Sequence, residues 1–269
     1  MIGAVLFQLK VVRPGILKET QGRFLHAAFF QMLNSYNEEL AASVHANVRF
    51  KPFTVSGLIP LVPEKKKSGP FVKTGTKFFW RVTALQEELL QAVCTVEEGY
   101  EVQAGAVTMA VERVIMSRQG HEAAGILDEE ELVASCREVD RVRSITFSFL
   151  SPVSFRSFQD DYPFPLPQLI FSSLVDKWNL AGMPYAFDRE QVREIASRLL
   201  PTAWKGQTQQ VYLKDDRGVT GFTGEYTFKT DMLPLEEQQM LLLLAQFAFF
   251  SGVGRLTGQG LGQTLVSFR

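Results

Sequence analysis

Apolar residues repeat at helical spacing soon after the start of the chain. Residues 3–12 have the apolar character of a strand, which the sequence Arg13-Pro14-Gly15 ends. Six apolar residues then recur at intervals of three and four, which predicts one continuous hydrophobic face on a helix. These residues are Leu25, Ala28, Phe29, Met32, Leu33 and Tyr36. The chain therefore begins with a strand followed by an amphipathic helix.

The remainder of the first half predicts strands and helices in a defined order. Residues 50–60 are strand-like, and Pro52 confines the start of that strand to a sheet edge. The other predicted segments are strands over 71–83, a helix over 84–93, a β-rich segment over 100–116 with a turn at Gly105, and a helix over 128–138. The order β-α-β-β-α-β is that of a ferredoxin-like unit.

The second half predicts the same order with one added helix. Its segments are a strand over 142–155, helices over 167–180 and 188–200, paired strands over 207–214 and 221–229, a helix from Pro234 to Gly252, and a strand over 264–268. The two halves share no obvious sequence repeat. We predict an α+β protein with tandem ferredoxin-like (RRM-like) domains, residues 1–140 and 141–269, with the boundary near Arg141.

Composition narrows the class of protein. The chain has 269 residues, of which 46% are hydrophobic and 21% charged, as in ordinary globular proteins. Cys94 and Cys136 are far apart and have no metal-ligand spacing, so zinc and a disulfide framework are not expected. No signal-peptide pattern or long apolar span is present, and we expect a cytoplasmic protein without a membrane or cofactor. The net charge of −1 predicts that any nucleic-acid site is a local patch.

A glycine-rich stretch near the end is the most distinctive motif. Five glycines lie within eleven residues. Four of them form the pattern G-apolar-G, five residues, G-apolar-G (Gly252, Gly254, Gly260 and Gly262), and Gly258 lies among the five intervening residues. Such backbone can bring N–H groups close to a phosphate, and Arg255 adds a positive charge. The order helix, glycines, strand excludes a dinucleotide fold and a Walker loop, which need a helix after the glycines. Glycine alone is also compatible with a pair of tight turns.

Few residues could carry acid–base chemistry. His26 lies on the first helix beside its apolar face, and His45 is predicted in a loop before a strand, six residues ahead of Lys51. His121 lies in a polar turn. A lone histidine at such a position as that of His26 is more often a packed edge residue than a functional one. Carboxylates do not cluster, which disfavours a two-metal nuclease.

A second candidate for nucleic-acid binding is a basic, aromatic-rich segment. Its cationic residues are Lys65, Lys66, Lys67, Lys73, Lys77 and Arg81, interleaved with phenylalanines and Trp80. Such a pattern is typical of a surface that binds phosphates, and equally of a solvated hairpin whose lysines prevent aggregation.

The chain resembles the CRISPR-associated pre-crRNA processing endoribonucleases of the RAMP superfamily over essentially its full length. The resemblance rests on the glycine pattern, on the segment from Leu40 through His45 and Lys51 to Ser56, and on the helix that starts at Gly22-Arg-Phe-Leu-His26. It implies a repeat-RNA substrate and metal-independent cleavage by the 2′-OH, giving a 2′,3′-cyclic phosphate and a 5′-OH.

The resemblance also implies roles for individual residues. His45 matches a general acid/base and Lys51 a lysine that stabilises the phosphorane, whereas a catalytic tyrosine of the family is replaced by Phe30. His26 is the natural substitute. The glycine stretch, Arg255 and Lys65 to Lys67 are expected to bind RNA. The alternatives are a catalytically silent RNA-binding subunit of a CRISPR effector complex, with other subunits as partners, or a generic interaction protein. Either a monomer or a homodimer is possible.

Overall fold

A computed structural model describes residues 1–18, 21–61, 71–214 and 217–269 of the chain. Lys65, Lys66 and Lys67, which the sequence predicts as RNA contacts, lie outside the described residues. The first half contains β1 (Ile2–Arg13), β2 (Gly15–Ile16), α1 (Gln21–Tyr36), α2 (Glu38–Ala46), β3 (Phe53–Val55), β4 (Ile59–Pro60), β5 (Phe71–Val72), β6 (Lys77–Ala84), α3 (Glu87–Cys94), β7 (Glu101–Ala104), β8 (Val107–Ile115), β9 (Gly125–Leu127) and α4 (Glu129–Arg137).

The strands of the first half form one antiparallel sheet in the order β3-β6-β1-β8-β7. β4 also pairs with β6, and β9 with β1. Phe7 on β1 lies opposite Trp80 on β6, and both side chains are buried. The predicted helical face of α1 covers this sheet, since Leu25, Phe29 and Leu33 are fully buried.

The second half repeats this arrangement. It contains β10 (Ser144–Val153), β11 (Phe155–Ser157), β12 (Asp160–Tyr162), α5 (Pro167–Ala181), α6 (Arg189–Ser197), β13 (Leu200–Lys214), β14 (Arg217–Lys229), α7 (Leu235–Ser251), a 3₁₀ turn (Thr257–Gln259) and β15 (Thr264–Phe268). Its main sheet has the order β13-β14-β10-β15. In both sheets the core strands follow the sequence second, third, first, fourth, so the prediction of tandem ferredoxin-like units is confirmed.

Helix α7 lies between the two units. It contacts strands of both sheets and packs against α4. Its residues are apolar around most of the circumference, as expected for a helix that is buried over most of its length. Leu132, Val133 and Cys136 of α4 belong to the same hydrophobic core as the second sheet. The domain boundary near Arg141 remains a prediction, because part of the core of the second unit comes from residues before it.

Two local predictions have different outcomes in the structure. The segment of His45 is not a loop: it forms α2, whose N-cap Asn37 accepts a hydrogen bond from the Leu40 N–H at 3.0 Å. The prediction failed because this nine-residue helix is short and has little apolar periodicity. Gly105 adopts φ +66 between β7 and β8, in agreement with the predicted turn. In the described ranges, no helix is both long and apolar enough to span a bilayer.

Candidate active site

A cleft of about 740 Å³ opens between the two units and gathers the candidate residues. The first unit contributes His26 from α1, His45 from α2 and Lys51, which precedes β3. The second unit contributes residues of α5 and of the loop that follows α7. Residues that are distant in sequence therefore share one solvent-accessible space, as the interpretation of the sequence requires.

The imidazole of His26 is fixed on three sides. Its Nδ1 lies 2.6 Å from the carbonyl oxygen of Gly258 in the glycine-rich loop. The ring packs edge-on against Phe30, with 5.0 Å between ring centroids, and lies 5.7 Å from Phe53. The side chain that the sequence placed at the edge of the apolar face is thus half-buried and anchored to the second unit.

The hydrogen bond of His26 determines its tautomer. A carbonyl oxygen only accepts, so Nδ1 carries the proton and, in the neutral ring, Nε2 has a free lone pair. Burial lowers the pKa of His26, the carbonyl of Gly258 opposes this, and the positive charges of Lys51 and His45 lower the pKa further. His26 is therefore suited to be neutral near pH 7, with one nitrogen able to accept a proton.

His45 and Lys51 are linked through the end of α2. His45 is exposed in the last turn of this helix. The Lys51 ammonium donates to the carbonyl of Val44 at 2.9 Å and to that of His45 at 2.8 Å. A cation is favourable at a helix C-terminus, where carbonyl groups lack partners. Partial burial lowers the pKa of Lys51.

Phe30 occupies the position at which the family resemblance implies a tyrosine. Its ring is edge-on to His45 at 5.3 Å and to Phe53 at 5.6 Å, in addition to its contact with His26. Phe30 has no group that could transfer a proton. It therefore packs between the two histidines without replacing the chemistry of a tyrosine.

The glycine-rich loop is held by its own backbone. Gly252 ends α7 with φ +62, and Gly254, Gly260 and Gly262 also have positive φ. The N–H of Gly254 donates to the Ser173 hydroxyl and that of Gly262 to the Pro152 carbonyl, both at 3.0 Å. The N–H of Gly252 donates to the Ala248 carbonyl. These three amides are therefore used within the protein and are not displayed to a ligand.

The predicted RNA contacts of this loop divide into two groups. Gly254, Arg255 and Gly258 line the cleft, whereas Gly252, Gly260 and Gly262 do not. The guanidinium of Arg255 pairs with the carboxylate of Asp161, which partly neutralises its charge. The glycines outside the cleft give the loop its shape, because their backbone conformations are ones that other residues rarely adopt.

The basic, aromatic-rich segment does not form one surface. Arg81 is buried, and Phe78 and Trp80 are also buried in the core of the first unit. Lys77 pairs with Glu112 at 2.7 Å. Lys77 and Arg81 are four residues apart and share one face of β6, but the second unit covers this face at Arg81. The interpretation of Arg81 as part of a phosphate-binding surface is wrong.

The cleft contains charged residues that the sequence did not single out. Its lining includes the cations Arg49, Arg156, Lys177 and Arg189, and the carboxylate Asp176, which pairs with Arg189 at 2.9 Å. The four cations come from separate parts of the chain, so no local motif could have revealed them. Across the described ranges, no three His, Cys, Asp or Glu side chains come together as a metal site.

Comparison with known proteins assigns both halves to one family. The model of the CRISPR Cas6 N-terminal domain matches residues 4–97, and the model of the CRISPR-associated endoribonuclease Cas6 matches residues 147–264. No curated protein sequence matches the chain.

Solved structures extend the similarity over the full length. A product complex of a Thermus thermophilus Cas6 is 29% identical with a TM-score of 0.79, covering 99% of this chain and 100% of the other. A second Cas6 product complex is 26% identical with a TM-score of 0.77, covering 99% of each chain. A Cas6-related protein from Pyrococcus furiosus, at 13% identity and a TM-score of 0.67 with 99% of each chain covered, shares the fold.

Proposed function

Because this chain belongs to the Cas6 family of CRISPR-associated endoribonucleases, we propose that it cleaves CRISPR repeat RNA at one phosphodiester held in the cleft. The ribose 2′-oxygen attacks the adjacent phosphorus, and the bond from phosphorus to the 5′-oxygen breaks. The products are a 2′,3′-cyclic phosphate and a 5′-OH. Similar structures are Cas6 complexes with product or a substrate mimic, which supports RNA as the ligand.

His26 is the general base in this proposal. The observation that carries it is the hydrogen bond from Nδ1 to the carbonyl of Gly258, which leaves Nε2 unprotonated in the neutral ring. The lowered pKa of His26 keeps that form populated at neutral pH. Nε2 accepts the 2′-OH proton as the bond from the 2′-oxygen to phosphorus forms.

His45 is the general acid. It is exposed at the cleft in the last turn of α2, free to approach the leaving 5′-oxygen. A protonated imidazole gives that oxygen its proton as the bond to phosphorus breaks. Two histidines then supply both proton transfers.

Lys51 stabilises the negative charge that develops on the phosphorane. An ammonium group has three donors, and the carbonyls of Val44 and His45 occupy two of them. The third is available to a non-bridging phosphate oxygen. With base, acid and charge supplied by side chains, the proposed cleavage needs no metal ion.

RNA binding in this proposal combines contacts to the glycine-rich loop with attraction by cationic side chains. Gly254, Arg255 and Gly258 form the part of the loop that faces the RNA, while Gly252, Gly260 and Gly262 maintain its shape. The positive lining of the cleft attracts phosphates despite a net charge of −1. Lys65 to Lys67 remain predicted RNA contacts. Recognition of one repeat comes from its hairpin shape and from a few flanking bases.

One experiment tests the proposal as a whole. The protein is incubated with a CRISPR repeat RNA in excess EDTA, and the product ends are identified by mass spectrometry. We expect one cut, with a 2′,3′-cyclic phosphate upstream, that is lost in His26→Ala. RNA that is bound tightly but stays intact would instead favour the silent RNA-binding subunit.

A further inference from the structure

The second unit holds a pair of side chains that reach the catalytic histidine indirectly. We infer that Lys177 and Ser173 of α5 are positioning residues for His26, acting through the glycine-rich loop. The inference rests on the proposed role of His26 in cleavage. Neither residue belongs to a sequence motif, and both line the cleft.

The two side chains share one face of α5, since they are four residues apart. The Lys177 ammonium donates to the carbonyl of Ser251 at 3.0 Å and to that of Gly252 at 2.9 Å. One turn earlier, the Ser173 hydroxyl accepts from the N–H of Gly254 at 3.0 Å. Together, Lys177 and Ser173 fix the backbone where α7 ends and the glycine-rich loop begins.

The contacts of Lys177 contribute little net stability to the fold. Its ammonium is bound to carbonyl groups, and among the described residues it has no carboxylate within ion-pair distance. Burial lowers the pKa of Lys177 to about 7. Since desolvation of the charge opposes the gain from these hydrogen bonds, the main consequence of the contact is the orientation of the last carbonyls of α7.

A change at the start of the loop can move the Gly258 carbonyl because backbone hydrogen bonds hold the loop rigid between these two points. The N–H of Val253 donates to the Gly262 carbonyl at 2.9 Å, and that of Arg255 to the Ser154 carbonyl at 3.0 Å. The 3₁₀ turn Thr257–Gln259 follows and contains Gly258. Leu256 before it has φ 60, a left-handed conformation that costs a non-glycine residue about 1 kcal/mol or more.

The far end of the loop contacts His26 directly, since the Gly258 carbonyl is hydrogen-bonded to Nδ1 and a Cβ at residue 258 would lie 3.3 Å from Phe53. A change at Gly252 and Gly254 would therefore move the Gly258 carbonyl, and with it the imidazole. Displacement of a reacting group by about 1 Å can lower a rate about a hundredfold. Lys177 and Ser173 thus set the position and the tautomer of a histidine in the other unit.

The first test uses the full-length protein without RNA. Ring ¹⁵N shifts of His26, assigned with the His26→Gln variant, report the tautomer directly at a pH where the ring is neutral. We expect the Nδ1–H form in the wild type, a mixture of both tautomers in Lys177→Met and in Ser173→Ala, and recovery in Lys177→Arg. Unchanged shifts in both loss variants would overturn the inference. This readout does not require cleavage, so it stands apart from the proposed function.

The second test measures single-turnover cleavage of repeat RNA together with RNA affinity. We expect Lys177→Met to lower the cleavage rate constant about tenfold or more while the RNA Kd changes less than about threefold. Lys177→Arg should recover most of the rate. Lys229→Met is the matched control, because Lys229 pairs with Asp231 at 3.4 Å and does not line the cleft. A weaker Kd with an unchanged rate constant would instead make Lys177 a direct RNA contact and contradict its positioning role.

Discussion

The Nδ1 of His26 and the carbonyl oxygen of Gly258 are 2.6 Å apart, although 232 residues separate them in sequence. This hydrogen bond joins α1 of the first unit to the loop that closes the second. It fixes both the orientation and the tautomer of the histidine. The candidate active site is therefore completed only when the two units are assembled, which explains why the most distinctive sequence motif lies so far from the proposed base.

Removal of the base should abolish most of the activity. We expect His26→Gln to lower the single-turnover rate of repeat cleavage by about 10²–10⁴, the usual contribution of general acid–base catalysis. The RNA Kd should change little, because His26 carries no charge at neutral pH in this scheme. His121→Gln is the control, since His121 accepts from the Ala123 N–H at 3.0 Å outside the cleft. A rate for His26→Gln within threefold of wild type would exclude His26 as the base.

The lowered pKa of His26 predicts how the rate depends on pH. A general base must be unprotonated, so the cleavage rate constant should rise with pH on a limb whose midpoint lies below 6.5, the ordinary pKa of histidine. The limb should be absent from the residual activity of His26→Gln. A midpoint above 6.5 would show that burial does not determine the protonation of this ring.

The lowered pKa of His26 should also make the free energy of unfolding depend on pH. When the pKa of a histidine is lower in the folded than in the unfolded chain, the unfolded chain binds more protons at acidic pH. The contribution is complete above about pH 6.5 and is lost as the pH falls through the folded value. The free energy of unfolding should therefore fall less steeply on acidification in His26→Gln than in wild type. Parallel urea-denaturation series at several pH values measure the difference.

The fold was largely predictable because its signals are local. The apolar face of α1 and the turn at Gly105 each act within a few residues, and the structure has both. The helix of His45 was missed because it is short. Its stability depends on the Asn37 cap and on Lys51 at its other end, which hydrophobic periodicity does not report.

The candidate site was predictable only in part. Histidines and glycines stand out by their type, but their contacts depend on how two units meet. The sequence contains no indication that Lys177 belongs to the site, since an isolated lysine in a helix is ordinarily a surface residue. Arg81 gave a misleading one, because the basic pattern around it does not show that the second unit covers its side of β6. Which residues line the candidate site depends on how the two units pack together, and no single segment of the sequence shows this.

Close contact between α1 and the glycine-rich loop should be sensitive to one added methyl group. A Cβ at residue 22 would overlap the carbonyl of Gln259, whereas one at residue 258 would lie 3.3 Å from Phe53 and 3.7 Å from the His26 Nδ1. We expect Gly22→Ala to cost about 1–3 kcal/mol of stability and to slow cleavage more than Gly258→Ala does. Thermal unfolding and single-turnover rates measure the two effects.

The control for these variants is Gly57→Ala. A Cβ there meets nothing nearer than 3.7 Å, from the Gln21 side chain, so stability and rate should stay close to wild type. If Gly22→Ala cleaved as fast as Gly57→Ala, the separation between α1 and the loop would have no influence on the reaction.

Arg81 should be the main polar link between the units. Its guanidinium is buried and donates to the carbonyls of Ala123 at 2.7 Å and Phe249 at 2.6 Å, and to the Gln263 amide oxygen at 2.8 Å. It also lies 4.5 Å from the centre of the Phe249 ring. Burial lowers the pKa of Arg81 to about 9, so the group is still charged at neutral pH.

Replacement of Arg81 by Met leaves these buried acceptors without donors. We expect a loss of about 2–4 kcal/mol in the free energy of unfolding, since each unsatisfied buried group costs about 1–3 kcal/mol and relief of the buried charge offsets part of the sum. Arg113→Met, on the exposed side of β8, should change it by less than about 0.5 kcal/mol. Urea denaturation measures both. Equal midpoints for the two variants would mean that apolar contacts of α7, not Arg81, hold the units together.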